Sequence, residues 1–248
     1  MSVTWGIVPA AGLGIRIRPL AFSKELLPVG VRMDANQQRP RAVSEYLLER
    51  MTVAGANRIC FVVSPGKSDI MQYFGGKYAD AAICYAVQQE PNGLCDALFT
   101  ALPFISAEDE VLIGLPDTVW FPIDGFRRLP PRRFSFLLFQ VQRPELFDAV
   151  VSDQHGVVSE VQVKVRKPDS DWVWGAFRMP GRTLASLYDL WMMREPRDEY
   201  FGTLVNAYIA GGGSVNAAKA GEVYVDVGTL HGYHEAVRVL MESDLAIA

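Results

Sequence analysis

The sequence predicts an α/β fold: a mixed, mainly parallel sheet flanked by helices. Strand and helix signals alternate through its first half, as they do in βαβ units. Runs such as RICFVVS (58–64) and AAICYAV (81–87) are short, apolar and rich in β-formers, so they read as buried strands. A hydrophobic fraction of 50% over 248 residues is enough for a substantial core.

The elements follow in order. The first strand ends at Val8 and Pro9 and gives way to a small-residue loop, Ala10, Ala11, Gly12, Leu13 and Gly14. Residues 41–54 place apolar side chains at helical spacing, with Gly55 as the stop. The strand at 58–64 runs into SPGK, a helix starts at Ser68, and the strand at 81–87 leads to a helix at 93–102 and a strand at 111–115. From about residue 134 strands dominate, at 134–141, 157–165 and 171–179, and the HG pair at 155–156 reads as a hairpin turn. Helices at 182–194 and 202–210, a flexible GGG turn at 211–213 and a strand at 222–227 close the pattern. No internal repeat or low-complexity segment appears, so residues 1–248 are expected to form one domain.

Charge and cysteine usage exclude several classes. The net charge of −4 argues against general nucleic-acid affinity, which needs clustered Lys and Arg. The basic cluster at 16–24 therefore stands out as a site, whereas RRLPPRR (127–133) reads as a solvated loop. Cys60, Cys84 and Cys95 have no metal-ligand spacing and are odd in number, which implies a reducing compartment. His155, His231 and His234 are too few and scattered for a zinc site. The N-terminus lacks a basic leader and no apolar run reaches membrane length, so the expected location is cytoplasmic, away from any membrane.

The chemistry gathers in GIVPAAGLGIRIRPLAFSKELLPVG (6–30). Small residues let the backbone approach a ligand, and glycine can turn several N–H groups toward one anion. Arg16, Arg18 and Lys24 add positive charge, and the combination fits a triphosphate cradle. It is not a Walker A loop, because Gly14 is followed by Ile15; nor is it a dinucleotide fingerprint, because position 17 is Ile. Further on, VLIGLPDTVWF (111–121) puts Asp117 beyond a strand's carboxyl end, where open α/β sheets bind ligands. A carboxylate there suits a hard cation such as Mg²⁺, or caps a turn. EVYVDVGTLHGYHEA (222–236) repeats the arrangement around Asp226, followed by Gly228, Thr229 and a helix.

PAAGLGIRIRPLAFSKELLPVG resembles the N-terminal signature of the sugar-phosphate nucleotidylyltransferases, the nucleotide-sugar pyrophosphorylases. Two departures are visible. Ile15 replaces the usual threonine, and the step from Arg16 to Lys24 is about two residues shorter than in the thymidylyl- and uridylyltransferases. VQQEPNGLCDAL (87–98) is similar to the family's base-reading segment, and the D-V-G-T at Asp226 to its C-terminal metal segment. The resemblance implies a Rossmann-like sheet of the nucleotide-diphospho-sugar transferase type, a nucleotide-binding half at 1–133 and a sugar-phosphate-binding half at 134–248. It implies that Ala10, Ala11, Gly12, Gly14 and Gly93 line the nucleotide and that Gln88 reads the base through its acceptor and donors. It also makes Asp117 and Asp226 the ligands of Mg²⁺.

In the second half the family's Glu-Lys-Pro is replaced by VQVKVRKPDSD (161–171). The carboxylate is missing, and the lysine for the acceptor phosphate is Lys164 or Lys167. Strand alternation sets Val161, Val163 and Val165 on one face and Lys164 on the other. Gly175 resembles the glycine that lets the sugar approach the backbone, and Trp172 and Trp174 offer apolar faces for a sugar ring, with core packing expected of at least one of them.

The implied reaction is transfer of a nucleoside monophosphate from UTP or dTTP to a sugar 1-phosphate, with Arg16 on the leaving pyrophosphate, Lys24 on the α-phosphate and Lys164 or Lys167 on the incoming phosphate. The sequence allows a homo-oligomer. Two alternatives remain at this point: a cytidylyltransferase acting on phosphocholine or a phosphonate, and an inactive nucleotide- or sugar-binding regulatory subunit.

Overall fold

The computed structural model describes residues 2–247. Its centre is a parallel core: β1 (Thr4–Pro9) lies between β4 (Arg58–Val63) and β7 (Glu110–Gly114), and β6 (Ala81–Val87) continues beyond β4. Between β1 and β4 come a hairpin, β2 (Pro28–Asp34) and β3 (Gln37–Ala42), and helix α1 (Val43–Val53). Helix α2 (Ser68–Phe74) and the short β5 (Lys77–Tyr78) precede β6, and α3 (Gly93–Thr100) follows it. Because the four core strands are parallel, their carboxyl ends share one edge. That edge carries the loop after Pro9, Gln88 and the residues leading to Asp117.

The second half extends the same sheet with antiparallel strands. After β8 (Thr118–Phe121) come β9 (Ser135–Gln140), β10 (Asp148–Ser152), β11 (Val158–Val163) and β12 (Trp172–Pro180). The long β12 pairs with β7 at Ala176–Pro180, with β9 along Trp172–Arg178 and with β10 at Val173. Helices α4 (Gly181–Met192) and α5 (Phe201–Ala210) lead to β13 (Asn216–Gly221), which joins β9 in parallel. Last come β14 (Val223–Asp226), paired antiparallel with β8 outside the main sheet, and α6 (Leu230–Ile247). The mixed, mainly parallel sheet with helices on both faces is thus the expected α/β architecture.

Alternation along the strands splits the core in two. On β4, Cys60 and Val62 face the layer that holds Leu98 of α3, Leu187 of α4 and Phe201 of α5. Ile59, Phe61 and Val63 face Leu48 of α1 and Ile70 of α2 on the other side. The three cysteines remain free thiols. No helix among the described residues is long and apolar enough to cross a membrane.

Several strands were not expected from the sequence. The β2–β3 hairpin is almost wholly exposed, and Ala35 and Asn36 turn it with φ of 45° and 66°. Strands β10 and β13 were missing too, although the glycine of the HG pair, Gly156, does turn β10 into β11. The strand expected at 111–115 is β7, and a further strand, β8, starts after the break at 115–117 that holds Asp117.

One buried charge ties these parts together. Arg50 on α1 is 1% exposed; its Nε donates to the Trp120 carbonyl at 2.8 Å and its Nη1 to the Tyr46 carbonyl at 2.8 Å. Burial pulls its pKa down to about 10, still far enough up to keep it charged at neutral pH. Arg50 thereby pins β8, the strand that begins next to Asp117. Replacing a buried charged donor leaves its carbonyl acceptors unpaired, so Arg50→Met is expected to lose about 3 kcal/mol of stability in urea unfolding. A loss under about 1 kcal/mol, the scale of an exposed pair, would show that Arg50 does not hold β8.

Candidate active site

The loop after β1 is held from below. Ala10 donates its N–H to the Val62 carbonyl at 2.7 Å, and its own carbonyl accepts from Lys67 Nζ at 2.6 Å. Both backbone groups of Ala10 are therefore engaged inside the protein. The sequence expectation that Ala10 lines the nucleotide is corrected: it anchors the loop. The next residues do open onto a cavity of about 410 Å³, lined by Ala11, Gly12, Gly14, Arg16, Lys24, Gln88 and Gly93. Gly14 has φ +65°, and a Cβ there would stand 3.2 Å from Lys24 Cδ, so glycine is needed for the turn and for the lysine packed beneath it. A second cavity of about 390 Å³ adjoins at Gly14 and Lys24 and is lined by Arg18, Ser23, Lys67 and Asp69.

Gln88 is 4% exposed at the end of β6. Its Nε2 donates to Asp96 Oδ2 at 2.7 Å and to the Gly93 carbonyl at 3.2 Å. Both partners can only accept, so the carboxamide is fixed with its nitrogen toward α3. A reader offering both donor and acceptor to a base was expected; this one offers its Oε1.

The two distant aspartates meet through the β8–β14 pair. Asp226 stands opposite Thr118, and the Val227 N–H donates to the Asp117 carbonyl at 2.8 Å. Gly228 marks the convergence: a Cβ on it would lie 2.8 Å from Asp226 Oδ1, 2.9 Å from Arg16 Nη2 and 3.1 Å from Asp117 Oδ2. Any side chain there would occupy the point both carboxylates face. Two carboxylates that converge on one point fit, by the chemistry of their oxygens, a hard divalent cation whose other ligands come from phosphates and water. Each already has a cationic partner, Arg16 Nη1 on Asp226 at 2.8 Å and Lys24 Nζ on Asp117 at 2.5 Å.

Burial alone would raise the Asp117 pKa, but the charge of Lys24 and its hydrogen bond hold it below the usual carboxylate range. Burial likewise opposes the charge on Lys24, and Asp117 and Glu25 overcome it, so the Lys24 pKa is raised. This pair stays ionised. Behind it, Glu25 is fully buried and bound by Lys67 at 2.8 Å. Burial dominates in that second pair, pushing Glu25 up and Lys67 down.

The acceptor side differs from expectation in three places. Strand β11 stops at Val163, and Lys164 turns off it with φ +53°, its Nζ 3.5 Å from Asp148 Oδ1. Lys167 is exposed on the following loop, so only Lys164 is brought to a charged partner. Trp174 is 8% exposed and packed among Phe136, Phe177 and Phe201, which makes it core and not a platform for a sugar. Gly175 sits at a bulge, and the space a Cβ would need is filled by the rings of Tyr224 and Phe139. It admits an aromatic ring, not a ligand.

The nucleotidyl transferase family model matches residues 5–243. The chain belongs to that family. It is 29% identical over 252 residues to glucose-1-phosphate thymidylyltransferase of Xanthomonas campestris pv. campestris, covering 97% of this chain and 81% of the relative. A UTP–glucose-1-phosphate uridylyltransferase of Haloferax volcanii is 29% identical over 178 residues, 69% of each chain. The UTP-bound UGPase structure from Acinetobacter baumannii superposes with a TM-score of 0.77 at 18% identity, over 100% of this chain and 99% of that one; at that identity it supports the fold.

Sequence reasoning did not find Glu25, Lys67, Asp96 or Asp148. The signal for the first two was present: a Glu beside Lys24 and a Lys closing SPGK are charges at strand ends facing one edge.

Removing Lys24 should reverse part of the acid response. In the wild type the depressed Asp117 pKa contributes stability above the ordinary carboxylate pKa, lost as pH falls through the folded value. In Lys24→Met a buried, unpaired Asp117 is raised instead, so the mutant loses stability as pH rises through that range. Urea unfolding should show a deficit of about 3 kcal/mol at pH 7 that shrinks toward pH 4. A deficit constant over that range would rule the pair out as its source.

Proposed function

We propose that the chain transfers a nucleoside monophosphate from UTP or dTTP to a sugar 1-phosphate and releases pyrophosphate, as a single cytoplasmic domain. The observation that carries this reading is the continuity of one cleft. The cavity of the Gly12–Gly14 loop and Gln88 shares Arg16 and Lys24 with the two convergent aspartates. The thymidylyltransferase and uridylyltransferase relatives support the same reaction class.

In this reading the loop amides and Arg16 hold the β- and γ-phosphates, and Lys24 takes the α-phosphate. Asp117 and Asp226 would hold Mg²⁺, which would supply neutralisation of phosphate charge. Lys164 meets the incoming phosphate. The acceptor oxygen attacks the α-phosphorus in line, so positioning and charge compensation do most of the catalysis. A phosphate monoester is already largely ionised near neutral pH and needs no general base.

The fixed orientation of Gln88 supports the choice of base. Its Oε1 accepts a hydrogen bond, and at N3 uracil and thymine present a donor where cytosine presents an acceptor. A buried polar group left unpaired costs about 1–3 kcal/mol, so UTP or dTTP should exceed CTP by roughly 10-fold or more in kcat/KM. Pyrophosphate release over ATP, GTP, CTP, UTP and dTTP with a panel of sugar 1-phosphates tests this. Asp96→Ala, which frees the carboxamide to flip, should reduce the discrimination without unfolding the protein. CTP as the best substrate would overturn the base assignment.

Asp117→Asn and Asp226→Asn should each lower kcat by at least about 10²-fold, the scale of one preorganised electrostatic contact. Near wild-type turnover of either variant at saturating Mg²⁺ would remove that aspartate from the site.

A further inference from the structure

One carboxylate at the cleft has no role in the transfer reading so far. Asp148 opens β10, and its side chain is 10% exposed. Its Oδ1 is buried and accepts no hydrogen bond. Buried polar atoms are nearly always bonded, because an unmet one carries its full desolvation cost. Lys164 Nζ at 3.5 Å is an ionic neighbour and does not bond it.

The register places Asp148 at the cleft. Strand β10 pairs with β12 through Ala149↔Val173, and β12 pairs with β7 through Ala176↔Gly114. The start of β10 is therefore level with the residues just beyond β7, which include Asp117. Across the strand pair Asp148 faces Val163, so β11 supplies no competing carboxylate there. Phe147 packs against the Tyr224 ring at 5.6 Å, on the strand that ends in Asp226. The charges of Asp226, Asp117 and Asp148 all reach that tyrosine, behind the larger effect of its burial.

We infer that Asp148 and Lys164 form an acceptor-binding pair, in which Asp148 Oδ1 takes a hydrogen bond from a hydroxyl of the acceptor and Lys164 takes its phosphate. The inference rests on the transfer reading and narrows it. The acceptor is a phosphate ester with O–H donors within reach of its phosphate. A trimethylammonium group carries charge but no N–H or O–H, and would leave Oδ1 unbonded.

Steady-state kinetics of the full-length protein with a sugar 1-phosphate and its mono-deoxy analogues would test the pair. In Asp148→Ala the acceptor KM should rise at least 10-fold while the NTP KM stays within twofold. One deoxy analogue should behave with the wild type as the parent sugar does with the mutant, and should lose nothing further on mutation. Asp148→Asn, which keeps the shape and a carbonyl acceptor, should fall between them, and it replaces Asp148→Ala if that variant does not fold. An unchanged acceptor KM, or an equal mutational loss with every analogue, overturns the inference and leaves the transfer reading standing. If the wild type turns over no sugar 1-phosphate, the transfer reading fails. Calorimetric titration of the same phosphate esters then decides the Asp148 question separately: weaker binding to Asp148→Asn supports it, and equal or absent binding overturns it.

Discussion

Asp117 sets the terms for the rest of the cleft. Asp117 is 7% exposed, and a buried charge is tolerated only when it is paired and hydrogen-bonded. Lys24 supplies the pair, which fixes the turn at 24–26 against the end of β7. That turn carries Glu25 into the interior, and Glu25 in turn requires Lys67 from the loop after β4. Lys67 then donates to the Ala10 carbonyl at the foot of the glycine loop. Each burial obliges the next partner. An exposed pair such as Arg143–Glu145 is screened by water and dictates nothing comparable.

The sheet was legible where it is buried on both faces. In β1, β4, β6 and β7 a run of apolar residues survives because helices cover each side, and that run is the signal a reader can see. The hairpin at 28–42 is exposed on both faces, so QQRPR carries neither a run nor alternation, and its turn uses Ala35-Asn36 instead of Asn-Gly. Strand β13, NAAKAG, is held by its neighbour β9 more than by its own side chains. Where tertiary contacts choose the conformation, local pattern has nothing to show.

A similar division runs through the site. Loop residues at the ends of core strands were found because their chemistry is unusual for their place: glycines beside arginines, an aspartate closing an apolar run. What could not be read was which atoms are already spent. Ala10, Trp174 and Gly175 have the right types in the right segments, yet their groups or their space are used internally. Gln88 was found, but its orientation depends on Asp96, one helical turn into α3, whose partner only the fold reveals. Lys164 was placed by extending the strand two residues too far; the φ of +53° that turns it toward Asp148 leaves no trace in VQVKV.

The charge balance of the cleft bears on how donor and cation would bind under the transfer reading. Arg16, Lys24 and Lys67 face Asp226, Asp117 and Glu25, three cations against three carboxylates. The Gly228 N–H also donates to Asp226 Oδ1 at 2.8 Å, but a backbone donor cannot be lent to a ligand. Arginine and lysine can. A triphosphate that draws Arg16 and Lys24 away leaves two carboxylates without a cation beside its own negative charge, and a dication entering alone would sit against two cations. Arriving together, each ligand takes the partner the other releases, and neither meets the other's charges uncompensated. By linkage, each then raises the affinity of the other by the same factor. Glu25–Lys67 takes no part in that exchange: buried behind the loop, it keeps Lys24 aimed into the cleft whichever anion Lys24 holds.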